Sequence, residues 1–411
     1  MLSCTFYIHD EYYHNVKLVR LVQIQRTKFL DEITFASKNL YNVALYVTRQ
    51  RFFKDNFWIR YTPLWRLLKD HPAYLRLKNL CGSHPPQQVL KQVDYVWKSF
   101  FQAMKAWKLA PSKFQKRPKP PFYKQVNGKN VVYFTAQQSH LINNFVYFAK
   151  KVMNQGLKPI KTDLEHVKGV RIVPFGDRYN IELIYEVEET NLKLKRNHVL
   201  GIDLGITNLV TASDNCGNSP LLIKGGMVKS VNQYYNKQLA KYKSKAKKCN
   251  KAIKTNRLLR ICRIRNNKIR DIFHKTSRKI IDICIERKIG LIIIGYNEGW
   301  KQKVNIGKKN NQNFVSIPFL KLVKQIEYKA KLVGIDVIRV TEEYTSQTCS
   351  KCGLRRKANR KYRGLYVCNN CRSALNADVN ASINIMQKGV PNSIWIGDRG
   401  CMYRPSVLLV D

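Results

Sequence analysis

Apolar residues recur along this chain at two periods, and the change from one to the other divides it. Between 16 and 25, Val16, Leu18, Leu21 and Val22 predict a short strand leading into a helix. From 28 to 54 the spacing is helical, with Ile33, Ala36, Leu40, Val43 and Val47 on one face. Residues 61–69 predict a further short helix. Ser83, followed by Pro85 and Pro86, opens a long one whose apolar face is Val89, Val93, Val96, Phe100 and Met104. After a stiff basic stretch at 116–124 the period shortens to that of strands, at 131–134, 170–174 and 179–187. In the last, Tyr179, Ile181, Leu183 and Tyr185 alternate with polar residues. These elements predict a small β-rich domain that includes strand 16–25 and carries the helices at 28–108 as an insertion.

Residues 194–199 read as a second linker, and a βαβ-type region follows. Its first strand, Val199-Leu200-Gly201-Ile202, leads to Asp203, and Gly205 permits a tight turn into a second strand with Leu209, Val210 and Thr211. Two long helical patterns rich in Lys and Arg cover 228–288, joined near 250–256. Strands follow at 291–295 and 335–341, with a helix at 318–333 between them. The helical insertion is dense in aromatic residues, among them Tyr46, Phe52, Phe53, Trp58, Trp65, Tyr95 and Trp97, interleaved with basic ones. Most of these read as bundle core, and a few as surfaces on which bases stack.

Composition narrows the function. The 411 residues are 44% hydrophobic, enough for several folded domains. Lys and Arg number 74 against 27 acids, a formal charge of +47 spread over the whole length. An excess of this kind suits a large polyanion lying in long grooves, and nucleic acid is the expected partner. No apolar run approaches the roughly 18 residues that a membrane span needs. His9, Asp10 and Glu11 do not fit a secretory signal. Of eleven cysteines, four cluster at metal-binding spacing and seven are scattered. That usage fits a reducing compartment, and a cytoplasmic, nucleoid-associated location is expected.

The chemistry-bearing residues lie far apart in the chain. An acid at the end of an apolar strand is costly unless it pairs or holds a metal, which singles out Asp203. The Asp-x-Gly hairpin it opens is that of an RNase H-like fold, although a turn aspartate is the plainer reading of the residue alone. Asp378, in Ala377-Asp378-Val379-Asn380-Ala381, starts a helical pattern running to Ile385 and could face Asp203; alone it is an ordinary first-turn aspartate. Cys349-x2-Cys352-x15-Cys368-x2-Cys371 has zinc-ribbon spacing, and a closed four-thiolate site is structural. Lys351, Arg355, Arg356, Lys357, Arg360, Lys361 and Arg363 surround it and suggest contact with nucleic acid. Lys301, Lys303, Lys308 and Lys309 with Asn310–Asn313 read as a basic loop before Phe314, suited to steering single-stranded DNA. The eight histidines form no paired motif.

Taken in order, Gly201–Thr207, the phrase Tyr344-Thr345-Ser346-Gln347-Thr348-Cys349-Ser350-Lys351-Cys352-Gly353, Cys368-x2-Cys371 and Asn376–Ile385 resemble the TnpB family, transposon-encoded relatives of type V CRISPR effectors. The resemblance implies a multidomain α+β protein with an RNase H-like (RuvC) nuclease domain, a zinc ribbon and an N-terminal β-barrel-like wedge domain with an inserted helical recognition lobe. On the sequence this places the wedge at 1–27 and 119–195 and the recognition lobe at 28–118. The nuclease takes 196–348 and 375–395, the ribbon 349–374, and a tail 396–411. It further implies Mg2+-dependent cutting of double-stranded DNA beside a short adjacent motif, guided by an RNA from the transposon end, with one protein acting on one RNA.

In one place the chain departs from the family. Most members carry the second metal-binding Glu directly after the strand, where this chain has Gly295. Glu298, in the following loop, and Glu342, at the end of the next strand, are the candidates to replace it. Glu342 is favoured over Glu298, with Glu343 or no replacement the remaining options. Strand alternation allows only one of Glu342 and Glu343 to face inward. Asp203, Glu342 and Asp378 would then hold the magnesium ions, and Cys349, Cys352, Cys368 and Cys371 the zinc. A relative that has lost cutting but still binds RNA and DNA is the alternative that Gly295 supports. A strand-transferring transposase and an RNA-independent junction resolvase fit less well.

Overall fold

The computed structural model describes residues 15–114, 116–250, 255–297, 299, 307–362, 364–391 and 405–409. It falls into two compact units, Lys17–Glu186 and Val187–Asp411.

In the first unit, β1 (Asn15–Gln25) is followed by four helices, α1 (Lys28–Asp55), α2 (Tyr61–Leu68), α3 (Pro72–Cys81) and α4 (His84–Leu109). Strands β2 (Val132–Thr135), β3 (Ser139–Ile142) and β4 (Phe145–Phe148) come next, then the short α5 (Lys150–Met153) and strands β5 (Ile160–Lys161), β6 (Gly169–Phe175) and β7 (Arg178–Glu188). They form a four-stranded sheet in the order β1-β7-β6-β2 and a separate three-stranded sheet, β3-β4-β5. The helices therefore interrupt one sheet between two of its strands. α3 is absent from the sequence reading; Tyr74, Leu77 and Cys81 are its buried residues, and an exposed Leu75 among them blurs the apolar face. Trp97 and Phe134 are fully buried, whereas Tyr46, Phe53 and Tyr95 stand largely exposed.

The second unit is built on a six-stranded sheet. Its strands are β8 (Lys195–Leu204), β9 (Asn208–Asp214), β10 (Leu221–Lys224), β11 (Ile289–Gly295), β12 (Asp336–Val340) and β16 (Ser406–Leu408), in the order β12-β11-β8-β9-β10-β16. Helices α6 (Gly226–Asn250), α7 (Asn256–Glu286), α8 (Lys308–Ser316), α9 (Phe319–Leu332) and α10 (Ala377–Gly389) surround it. The small sheet β13 (Arg360–Tyr362), β14 (Leu365–Val367) and β15 (Ala374–Leu375) belongs to the cysteine cluster.

Side chains alternate across the central strands and so divide the core in two. Leu200, Ile202, Ile292 and Ile294 pack with Phe273, Ile280, Leu322 and Ile326 of α7 and α9. Val199 and Ile293 pack on the other face with Val379, Ile383 and Met386 of α10.

Several expectations need correction. Residues 195–199 are the first half of β8 and not a linker; Lys195, Arg196 and Asn197 are exposed, which hides a strand whose Lys195 pairs with Ile289. Residues 308–313, read as part of a basic loop, belong to α8, and this asparagine-rich start conceals helical spacing. Residues 301–306 lie outside the described residues. The C-terminal segment, read as a tail, adds β16 parallel to β10. Strand β12 stops at Val340, so Glu342 and Glu343 lie in the turn beyond it and strand alternation does not decide between them.

Candidate functional site

Sheet register sets the site. Ile293 pairs with Gly201 and Ile294 with Ile202, so one step further on Gly295 comes beside Asp203. Gly201 and Asp203 point to the same face, the one that α10 covers. A Cβ at Gly201 would collide with the Ser382 carbonyl and lie 2.7 Å from the Met386 Cβ, so the helix can sit this close only over a glycine. Ser382 donates or accepts a hydrogen bond with Ser213 of β9 at 2.6 Å. Asp378 is one helical turn before Ser382, which brings it over Asp203. Asn376 caps the helix, its Oδ1 accepting from the Asp378 and Val379 amides at 3.0 and 3.2 Å.

Glu342 reaches the same place from the other side. Gly295 pairs with Val340 at the end of β12, and Glu342 follows two residues later. Its amide donates to Asn297 Oδ1 at 2.9 Å. A Cβ at Gly295 would lie 2.8 Å from Glu342 Cγ and 2.6 Å from Ile385 Cδ1. The Glu342 side chain thus occupies the space that any larger residue at 295 would need. Glu298 lies outside the described residues.

Asp203, Glu342 and Asp378 line one cleft of about 280 Å3, together with Thr207, Asn208, Phe314, Thr345 and Arg360. Burial raises the Asp203 carboxyl to about 7; the Asp378 charge adds to this, and Arg360 opposes it. Burial, followed by the Asp203 charge, raises Glu342 to about 8. Asp378 is held at both oxygens, by Asn208 Nδ2 at 2.8 Å and by Arg360 Nη2 at 3.2 Å. Glu342 Oε1 is buried and has no hydrogen-bond partner among the described residues. Like charges crowded together, with one carboxylate oxygen left orphaned, make a donor set suited to a hard divalent cation. Sequence reading missed Asn208 and the position of Arg360 in this cleft. They act on Asp378 from 170 and 18 positions away, pairings that no local period encodes.

The four cysteines converge. Their sulfur atoms all lie within 4.8 Å of one another, the only such cluster of metal-binding groups among the described residues. Cys349 and Cys371 are 3.7 Å apart, and Cys352 and Cys368 3.5 Å. Tetrahedral bonds of about 2.3 Å to zinc set sulfurs about 3.8 Å apart, so this cluster could hold zinc. The Leu354 amide lowers the Cys352 thiol to about 6, toward the thiolate that a metal takes. Asn380 ties the cluster to α10. Its Oδ1 accepts from the Ser350 amide at 2.9 Å and its Nδ2 donates to the Thr348 carbonyl at 2.8 Å. Asn384, one turn on, donates to the Thr345 and Thr348 carbonyls at 2.8 and 2.7 Å.

Comparison with known proteins gives a consistent result. Residues 182–301 match the OrfB_IS605 model, described as a probable transposase, and 319–385 match the Cas12f1-like TNB domain. TnpB-like protein ORF457 of Acidianus two-tailed virus is 24% identical over 86% of this chain and 82% of its own. These matches support a relationship to the TnpB family. Another relative is the putative RNA-guided DNA endonuclease InsQ of Escherichia coli K12, 24% identical over 78% of this chain and 76% of that protein. The Cas12f2 endodeoxyribonuclease of a Micrarchaeota archaeon is 33% identical over 52% of this chain and 41% of its own. The chain spans about half the length of the Cas12f nucleases it matches. In fold it is similar to Cas12f1 in a complex with sgRNA and target DNA, with a TM-score of 0.53, 16% identity and coverage of 87% and 81% of the two chains.

Proposed function

We propose that this protein is an RNA-guided DNA endonuclease that cuts in the cleft of Asp203, Glu342 and Asp378. The observation that carries this reading is the lodging of Glu342 against Gly295, beside Asp203. It supplies a third carboxylate where most of the family carries one on the preceding strand. The glycine is therefore no sign of lost activity.

Asp203, Glu342 and Asp378 would hold magnesium, and the chemistry magnesium supplies there is activation of water and stabilisation of the leaving 3′ oxygen. The three carboxylates line one cleft, and a pair of ions held among them is the arrangement proposed. Arg360 and Asn208 fix the direction of Asp378, and Arg360 adds positive charge where a phosphate would enter. Asn297 fixes the backbone that carries Glu342. The zinc cluster takes no part in the reaction; it braces the Glu342 and Asp378 segments through Asn380 and Asn384. The sheet fits an RNase H-like nuclease. The interrupted sheet and its helices fit a wedge and recognition lobe, and the guide is an RNA from the transposon end, bound by a single protein in the cytoplasm to cut double-stranded DNA.

Alanine at Asp203, Glu342 or Asp378 is expected to abolish cleavage of target DNA with Mg2+ while leaving guide RNA binding unchanged. A variant that cuts at the normal rate removes that residue from the centre. Glu298→Ala is expected to keep most of the rate, and if it is the damaging change the assignment moves to that residue. Sequencing the RNA that copurifies with the protein tests the guide.

A further inference from the structure

We propose that the outer face of α6 is a phosphate-binding track for a base-paired stem of the guide RNA, formed by Tyr234, Lys237, Lys241, Lys245 and Lys248. The track deepens the RNA-guided reading above and rests on it.

Residues 226–270 hold fifteen Lys and Arg and no acid. Seven of the lysines are on α6, and the first acid of α7 is Asp271. One side of α6 is taken up by α7. Arg265 Nε donates to Asn232 Oδ1 at 2.8 Å, and its guanidinium lies 5.6 Å from the centre of the Tyr235 ring. Arg257 Nη2 donates to the Tyr242 hydroxyl at 3.1 Å. Positions 234, 237, 241, 245 and 248 follow one another at helical steps of three and four, on the side turned away from 232, 235 and 242. All five residues are exposed, Tyr234 to 66%. At 1.5 Å per residue the row is about 21 Å long.

The segment carries nothing of its own to offset this charge. Lysines four apart on a helix repel one another, as 237 with 241 and 241 with 245 do here, and no acid stands between them. An outside polyanion offsets the repulsion. The form of the row selects a double helix. A single strand binds in a groove with aromatic rings on which its bases stack, whereas this row lies on the convex face of one helix. A duplex presents a rigid line of phosphates, about one per 3.4 Å of axis on each strand in DNA, so the row lies beside about six of them. Lysine and a tyrosine hydroxyl contact phosphate and read no base there. RNA is the resident partner. A target met only during cutting would leave the charge bare for the rest of the time, whereas a guide relieves it from assembly onward.

The test uses the full chain and the guide RNA that copurifies with it. Lys241→Gln with Lys245→Gln removes two charges from the row, and Lys243→Gln with Lys247→Gln removes two from elsewhere on the same helix. Glutamine keeps the helix propensity of lysine and all four positions are exposed, so folding is preserved. In titrations of the RNA, the first pair should weaken binding about 10- to 100-fold at about 100 mM salt and lower the salt slope by about 2, while the second pair changes each far less. Hydroxyl-radical footprinting of the native complex should show protection of about six consecutive nucleotides in a paired stem, which the first pair exposes. Native affinity with the first pair, equal loss with both pairs, or lost protection confined to unpaired nucleotides overturns the track. So does native RNA binding combined with weakened target DNA binding by the loaded protein, which would hand the row to DNA. A native protein that yields no bound RNA would refute the guided reading itself, an outcome seen before any substitution is made.

Discussion

Asp203 is held in a place where it resists ionisation. Burial and the neighbouring Asp378 raise it to about 7, and Glu342 is raised to about 8 in turn. Both folded values lie above those of an unfolded chain, near 4. Between those limits the metal-free folded state binds more protons than the unfolded one, so its stability falls as pH rises from about 4 to 8. An amide has no charge to bury. Asp203→Asn should therefore stabilise the metal-free protein at pH 8 by about 1–2 kcal/mol, with a smaller gain at pH 5, while eliminating cutting. Urea denaturation in chelator at the two pH values measures this, and a variant less stable than the native protein at pH 8 would refute it. Asp203 and Asp378 were legible in the sequence because each sits in a recognisable phrase. Glu342 could only be narrowed down, since its role depends on an empty space at Gly295 that becomes visible once β11 and β12 are paired.

At the scale of elements, α10 is the part that gathers the site. Asn376 caps it, Asp378 faces the cleft, and Asn380 and Asn384 grip the segment between Thr345 and Ser350. Asn380 is fully buried, so Asn380→Ala leaves the Ser350 amide without its partner and should cost about 1–3 kcal/mol. It should also speed loss of zinc to a chelator, because the first Cys-x2-Cys turn is anchored there. Unchanged melting and unchanged zinc release would show that the grip is incidental. The long helices, β11 and the start of α10 were readable from their apolar period. The first half of β8 and α8 were not, since the polar runs 195–197 and 308–313 carry no apolar period. Arg360 was readable as basic and near the cysteines, but not as a partner of Asp378, which depends on how the small cysteine-bearing sheet folds back onto α10.

Across the whole molecule, charge is the dominant feature. With 74 basic residues against 27 acids, nucleic-acid affinity should fall steeply with salt. If six to ten phosphates are neutralised, binding weakens by about a thousandfold or more between 50 and 200 mM salt. Guide RNA titrations across that range check it, and a flat response would mean that the basic surface is not the binding surface. No helix among the described residues is long and apolar enough to cross a membrane. The proposed centre also bears on how such proteins are counted. A survey that checks each motif in turn for its usual acid would file this chain among the inactive copies, because the expected position holds a glycine. On the reading proposed here that glycine is a vacancy kept open for a neighbour, and judging which relatives still cut means asking what fills the hole.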